Sequence, residues 1–378
     1  MRERFRYLTV AALFLSNLSF AQTETKLRTI PGKYLVILKE GSTTAIGDRL
    51  RGLVRGKVLD LLSSHGIDEA RVKSIYSNVF RGFSASLSKA ELALLKLDPR
   101  VLRIEADQVI SVMQTTNYCP APVSQPTELL GWGPQRIGYG GGTGKVAWVV
   151  DTGVDLCHPD LNVDKARSRS FVGTATANDD HGHGTHVAGI IGAKNNSIGM
   201  RGVASNTLIV GIKVLAANGE STATSLLSGL DYVYANVKVG EVVNLSLGGG
   251  ASQAMDDAVK RIAAKGAWVV VAAGNNGANA NNYSPARANA TRLYTISAFG
   301  RGDYLTSWSN YGNPPVDYSA PGDNIYSTYK GGTYTRMSGT SMAAPHFSGL
   351  LLLTGGVPRS GGVVSSDKDS TSDVIAVR

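Results

Sequence analysis

Ser341 stands in the run Gly339-Thr340-Ser341-Met342-Ala343-Ala344-Pro345-His346. A turn of small residues, Ser338, Gly339 and Thr340, leads into the apolar segment 347–353, which has the composition of a buried helix. Ser341 therefore belongs at or near a helix N-terminus, where backbone N–H groups lack intrahelical acceptors and the dipole favours negative charge. A serine so placed can attack a carbonyl carbon while its own N–H helps to hold the resulting oxyanion. A helix cap is the commoner reason for such a turn, but two stretches upstream change the balance. In Val146-Ala147-Trp148-Val149-Val150-Asp151-Thr152-Gly153 an apolar run ends in a carboxylate and a turn. That puts Asp151 at the carboxyl end of a core strand, where open α/β sheets carry their chemistry. In His181-Gly182-His183-Gly184-Thr185-His186-Val187-Ala188-Gly189 a histidine stands just before a small-residue helix. An aspartate, a histidine and a serine in that chain order are the parts of a nucleophilic triad: the serine attacks, the histidine takes its proton, and the aspartate orients the imidazole.

These residues need a rigid frame, and the pattern from residue 145 onward supplies one. Strand-like runs at 146–151, 208–214, 242–247, 267–273 and 293–298 alternate with helix-like segments at 183–193, 221–236 and 251–265. Near-continuous apolar strands alternating with helices predict an α/β fold, with a mainly parallel central sheet covered on both faces. Gly355-Gly356 stops the apolar helix that follows Ser341, and residues 355–378 read as a polar C-terminal tail. Residues 22–113 read as a separate small α+β unit: a strand at 33–38, a helix at 45–65, strands within 72–87, a helix at 88–97 and a strand at 101–112. Ser88 with Glu91 three residues later is a capping box that starts the second helix, and Asp98-Pro99 ends it. Residues 117–144, rich in Pro and Gly, read as an arm between the two units. Residues 1–21 have the three parts of a signal peptide: Arg2, Arg4 and Arg6, a short apolar stretch, and Ser19-Phe20-Ala21 at its end.

Composition narrows the function classes. With 43% hydrophobic and 18% charged residues, the 378-residue chain is of globular rather than disordered type. The net charge of +9 is unevenly spread: residues 1–113 hold 18 Lys/Arg against 11 Asp/Glu, and residues 114–378 hold 20 against 18. The basicity lies mainly in the N-terminal unit, with no basic stripe interleaved with aromatics, so nucleic acid is not the expected partner. No stretch reaches the ~20 apolar residues of a membrane span. Zinc held by His181, His183 and His186 is disfavoured, because the spacing is not His-Glu-x-x-His and no Glu lies between them. Asp179 and Asp180 compete with Asp151 for orienting His183. Asp151 is preferred because it ends an apolar strand, whereas adjacent loop aspartates are usually solvated.

Taken together, Asp151-Thr152-Gly153, His183-Gly184-Thr185-His186-Val187-Ala188-Gly189 and Gly339 to His346 closely resemble the three sequence blocks of subtilisin-like serine peptidases, in the order described for subtilisin. The resemblance, of the proteinase-K-like kind, covers roughly residues 130–354, and residues 22–113 are similar to the inhibitor propeptides that precede many such enzymes. It implies a secreted serine endopeptidase, extracellular or periplasmic, made as a self-processing zymogen. The expected division is 1–21 signal peptide, 22–113 propeptide, 114–354 peptidase domain and 355–378 tail, with the cut bond near residues 111–117. By the same resemblance Asp151, His183 and Ser341 form the triad, and Asn275, which directly follows Ala272-Ala273-Gly274, donates to the oxyanion. Ser246, Leu247 and Gly248 pair with the substrate backbone, and with Ala272, Ala273 and Gly274 they wall an uncharged pocket suited to an apolar or aromatic side chain. The chemistry requires no cofactor. Structural calcium is common in the family and Asp317 matches a position used by some members, but no ligands are assigned. A monomer acting on protein and peptide substrates, with its own propeptide as intramolecular inhibitor, is expected. Cys119 and Cys157 are either bridged, tying the arm to the loop after Asp151, or two separate thiols. The alternatives are a catalytically silent binding protein on the same fold and a metallohydrolase built on the histidine cluster.

Overall fold

The computed structural model describes residues 28–40, 45–112, 116–117 and 125–378, with the backbone alone at 116–117. The expected signal peptide and Cys119 lie outside the described residues. The N-terminal unit is a four-stranded antiparallel sheet in the order Val72–Tyr76, Gly82–Ser86, Thr29–Leu38, Val101–Val112, with helices Gly47–Ser64 and Lys89–Leu97. Residues 35–38 are all buried, and alternation explains why. Val36 and Leu38 pack with Val54, Val58 and Leu61 of the unit's own helix. Leu35 and Ile37, on the opposite face, join the core of the larger unit. The expected capping box is present: Ser88 N–H donates to Glu91 Oε2 at 2.7 Å and Glu91 N–H to Ser88 Oγ at 3.3 Å.

In the larger unit a parallel sheet runs in the order Val316–Pro321, Leu293–Phe299, Trp268–Ala272, Val242–Leu245, Val146–Asp151, Leu208–Lys213. Its central strands are mostly apolar because both faces are covered. Ala147 and Val149 face the core shared with helices His183–Gly192 and Thr340–Thr354. Trp148 and Val150 face helices Ala223–Asn236 and Gln253–Ala264. The polar side chains needed for chemistry are therefore pushed to the strand ends.

Two segments depart from the sequence-based expectation. The helix expected from 221 starts at Ala223, because Glu220–Thr222 is a short strand paired antiparallel with Val109, Ile110 and Ser111. The expected tail 355–378 instead contains strands Arg359–Val363 and Val374–Val377, the second pairing with the sheet edge at Ser319↔Ile375. Only a four-residue apolar run marks that strand, and its flanks are polar.

The units are joined by reciprocal capping. Asp107 accepts from Thr224 N–H at 3.1 Å and Thr224 Oγ1 at 2.7 Å, and Glu105 accepts from Ser252 Oγ at 2.7 Å and Ala254 N–H at 3.0 Å. Both carboxylates thus sit at helix N-termini, the favourable end of the dipole. In return Asp231 accepts from the N–H groups of Ser77, Asn78 and Val79.

Candidate active site

Asp151 is the last residue of its strand and fully buried, and its Oδ1 lies 2.7 Å from His183 Nδ1. Oδ1 also accepts from Thr152 N–H at 2.7 Å, while Oδ2 makes no hydrogen bond among the described residues. The contact calls for a proton on His183 Nδ1, and in the neutral ring Nε2 then carries the lone pair. Nε2 is buried and makes no hydrogen bond among the described residues. His183 is the first residue of its helix, and the turn before it is Gly182, at φ 109°, where a Cβ would lie 2.2 Å from the Tyr329 ring.

The loop aspartates behave differently from the sequence-based expectation that both are solvated. Asp179 is buried and accepts from Thr152 Oγ1, the N–H groups of His181, Gly182 and Thr185, and Thr185 Oγ1, at 2.6–3.0 Å. It welds the turn after Asp151 to the start of the His183 helix, and burial pushes its carboxyl up from the ordinary range. Asp180 stays 42% exposed and accepts from Lys213 Nζ at 2.6 Å. That fully buried ammonium also donates to the carbonyls of Thr152 and Leu215, at 2.7 and 2.8 Å. Neither Asp179 nor Asp180 hydrogen-bonds the His183 ring, so of the three candidate carboxylates only Asp151 engages it.

The other histidines have separate surroundings. His186 is buried, with Nε2 3.1 Å from the Ile325 carbonyl, and desolvation pushes its pKa down to about 3. His181 lies beside Gly219 at the cleft edge, its pKa lowered by burial and by His183. A hairpin, Ile325–Tyr329 with Thr333–Ser338, braces this whole region. Ser327 Oγ donates to the His186 carbonyl, Thr328 Oγ1 to that of Thr185 and Tyr329 OH to that of His181. Its second strand then runs directly into Gly339, so one element positions both the histidine and the serine.

Ser341 is the second residue of helix Thr340–Thr354 and is fully buried. Its Oγ donates to the Ser246 carbonyl at 3.0 Å, and Ser246 Oγ donates to the Ser341 carbonyl at 2.9 Å. Asn275 Oδ1 accepts from Thr340 N–H and Thr340 Oγ1, each at 2.9 Å. This fixes the amide so that its buried Nδ2, a donor, makes no hydrogen bond among the described residues. Asn310 holds the loop from behind: its Nδ2 donates to the Ala273 carbonyl and its Oδ1 accepts from Asn276 and Ala278 N–H. A Cβ at Gly274 would lie 2.3 Å from Asn310 Nδ2, which accounts for the glycine. Asn310, Asp179, Lys213 and Thr340 were not singled out from sequence as supports. Asn310 and Lys213 have partners far along the chain and no local motif marks them, while Asp179 and Thr340 lie in or beside the quoted blocks without a signature of this role.

Ala272, Ala273 and Leu247 are fully buried, and Leu247 and Gly248 begin the edge of strand Leu247–Gly250. The C-terminal end of Val101–Val112 occupies that edge, with Val112 opposite Leu247 and Ser111 opposite Gly248, while its other side pairs with Glu220–Thr222. Ile110 is fully buried in the cluster that includes Leu226, Leu247 and Met255. Beyond residues 113–115, Thr116 pairs with Ser338 and Asn117 with Met337. The described chain thus runs beside Leu247 before residues 113–115 and beside Ser338 after them.

Among the described residues the one group of three or more convergent metal-ligand side chains is Asp367, Asp369 and Asp373, away from these histidines. Their oxygens already accept from Gly312, Asp369 and Asp373 N–H, Ser297 Oγ and Asn313 Nδ2. Asp317 Oδ2 accepts from Thr295 N–H at 2.8 Å. Cys157 is exposed, 3.3 Å from Lys165 Nζ. Among the described residues no helix is long and apolar enough to cross a membrane.

Comparison with known proteins adds independent findings. The model of the subtilase family matches residues 142–356, and that of peptidase inhibitor I9 matches residues 33–113. Proteinase R of Parengyodontium album is 36% identical over 329 residues, spanning 85% of this chain and 78% of that protein. An extracellular serine proteinase of Thermus sp. (strain Rt41A) is 39% identical over 340 residues, spanning 86% and 80%. Among solved structures, a cold adapted subtilisin-like serine proteinase matches with a TM-score of 0.57 at 37% identity, covering 64% of this chain and 90% of that chain.

Proposed function

The chain belongs to the subtilase family of serine peptidases and carries an I9-type propeptide domain, and from that premise we propose a secreted endopeptidase that removes its own propeptide, with Ser341 as nucleophile, His183 as base and Asp151 as orienter. The observation that carries this reading is the pairing of a fixed imidazole, His183 Nδ1 to Asp151 Oδ1 at 2.7 Å, with a spare donor, Asn275 Nδ2, beside the helix that begins at Thr340. Ser341 Oγ leaves the Ser246 carbonyl, gives its proton to His183 Nε2 and forms a bond to the substrate carbonyl carbon. The oxyanion takes hydrogen bonds from Asn275 Nδ2 and the Ser341 N–H, while Asp151 stabilises the imidazolium. His183 returns the proton to the leaving amine as the C–N bond breaks. Water, deprotonated by His183, then releases the acyl group from Ser341. No step uses a metal. Structural calcium is left without assigned ligands.

The register of the last described residues supports a boundary just after them. Val112 lies opposite Leu247, the chain neighbour of Ser246, which hydrogen-bonds Ser341. On that support we propose Met113–Gln114 as the self-cleaved bond, dividing 22–113 from 114–354. Backbone pairing at Leu247 and Gly248 favours broad substrate use, and the uncharged walls Ser246–Gly248 and Ala272–Gly274 favour an apolar or aromatic residue before the cut. A secreted monomer is the form proposed.

Intact mass of the secreted product, for wild type beside Ser341→Ala, tests the reading. Wild type is expected to begin at Gln114 and the variant to keep the propeptide. Equal processing of both would remove self-cleavage and favour a silent binding protein.

A further inference from the structure

Glu220 is not part of the chemistry, yet it occupies a place where a substrate must pass. It opens the strand Glu220–Thr222 and lies directly opposite Ser111, whose partner on the other side is Gly248. In an antiparallel pair the side chains of opposed residues share a face and stand about 4.5–5.5 Å apart at Cβ. On that face the residue at the Ser111 position therefore has a carboxylate on one flank and only a glycine on the other. The backbone of Glu220 is pinned, its N–H donating to Asn218 Oδ1 at 3.1 Å and its carbonyl accepting from Ala216 N–H at 3.0 Å. The carboxylate is 37% exposed and accepts from Arg28 Nη1 at 2.7 Å. Arg28 belongs to the N-terminal unit, and its carbonyl accepts from Val109 N–H at 2.9 Å, so it travels with the strand that fills the cleft. In the precursor the propeptide thus brings its own cation to this carboxylate.

We propose that, once the propeptide has left, Glu220 selects a basic side chain at the third residue before the cut bond. This rests on the reading of 101–112 as a strand lying where substrate lies. Ser111 is uncharged, so the precursor satisfies Glu220 from Arg28 and a substrate would satisfy it from its own chain. The pair is solvent-exposed, so the effect is one of preference: a gain of about threefold in kcat/KM for Lys over Ala is the scale of an exposed ion pair.

The test uses the mature enzyme and neutral peptides carrying a single Lys, Ala or Glu at each of the second, third and fourth residues before the cut, with cleavage sites read by mass spectrometry. Lys should exceed Ala about threefold at the third position alone, and Glu should fall below Ala. In Glu220→Gln the Lys-to-Ala ratio should collapse to about one, and in Glu220→Lys the preference should turn to Glu. In wild type the ratio should also fall toward one in molar salt, a readout that needs no variant. A ratio of one in wild type at low salt, or a Lys preference that survives Glu220→Gln, overturns the inference and leaves the peptidase reading intact. If no peptide is cut by wild type, both readings fall together.

Discussion

Asp151 and Asp179 are both buried carboxylates, 28 positions apart, and both touch the turn at Thr152. Asp179 is saturated, with five donors at 2.6–3.0 Å. Asp151 has two donors on one oxygen and none on the other among the described residues. The same contrast recurs around them: the hairpin behind His183 spends its hydroxyls on carbonyls, while His183 Nε2 and Asn275 Nδ2 are left without partners among the described residues. Buried polar groups without partners are costly, and a bound substrate would offer partners to His183 Nε2 and Asn275 Nδ2 in the proposed mechanism.

Substitutions can break this contrast. If the proposed triad operates, Asp151→Asn should cost most, about 10⁴ in kcat, with little change in melting temperature, because the amide removes the charge but keeps the shape. Asn275→Ala comes next, at about 10²–10³ in kcat with KM nearly unchanged, the scale measured for the oxyanion donor of subtilisin itself. Asp179→Asn should reverse the pattern. Its amide would turn a donor toward groups that themselves donate, lowering unfolding free energy by about 1–3 kcal/mol in urea titrations on a Ser341→Ala background. Large stability loss at Asp151 and none at Asp179 would erase the distinction.

A smaller effect concerns Asp373, a third buried carboxylate, which desolvation and then Asp367 and Asp369 push up to about 6. Folding favours its protonated form. The associated stability should be present at pH 4 and lost as pH rises through about 6, and Asp373→Asn should flatten that part of the melting-temperature profile. A profile unchanged by Asp373→Asn would show that the C-terminal strands do not depend on this group.

Much of this was legible in the sequence where burial is two-sided. Strand Val146–Asp151 matches its expected limits because a continuous apolar run and a clear stop leave little choice, and Val101–Val112 matches too although polar residues interrupt it. The Ser88 capping box is local and was read correctly. What escaped depends on partners far away in sequence. Glu220–Thr222 is a strand because another segment pairs with it, and hairpin 325–338 is polar enough to pass for loop. Asp179 resembles any loop aspartate until Thr152 and Thr185 are brought to it. At the site, residue types announced Ser341, His183 and Asp151, but the supports Asn310 and Lys213 carry no such signature.

The strand 101–112 belongs to two sheets at once, and this has a consequence for timing. While the chain is uncut, its cleft-filling end is tethered, and the local concentration of the inhibitor does not depend on how dilute the protein is. The proposed hydrolysis at the end of that strand would turn a unimolecular equilibrium into a bimolecular one. Occupancy of the cleft would then follow mass action, so a cut molecule inhibited by its released propeptide would be silent when concentrated and active once diluted.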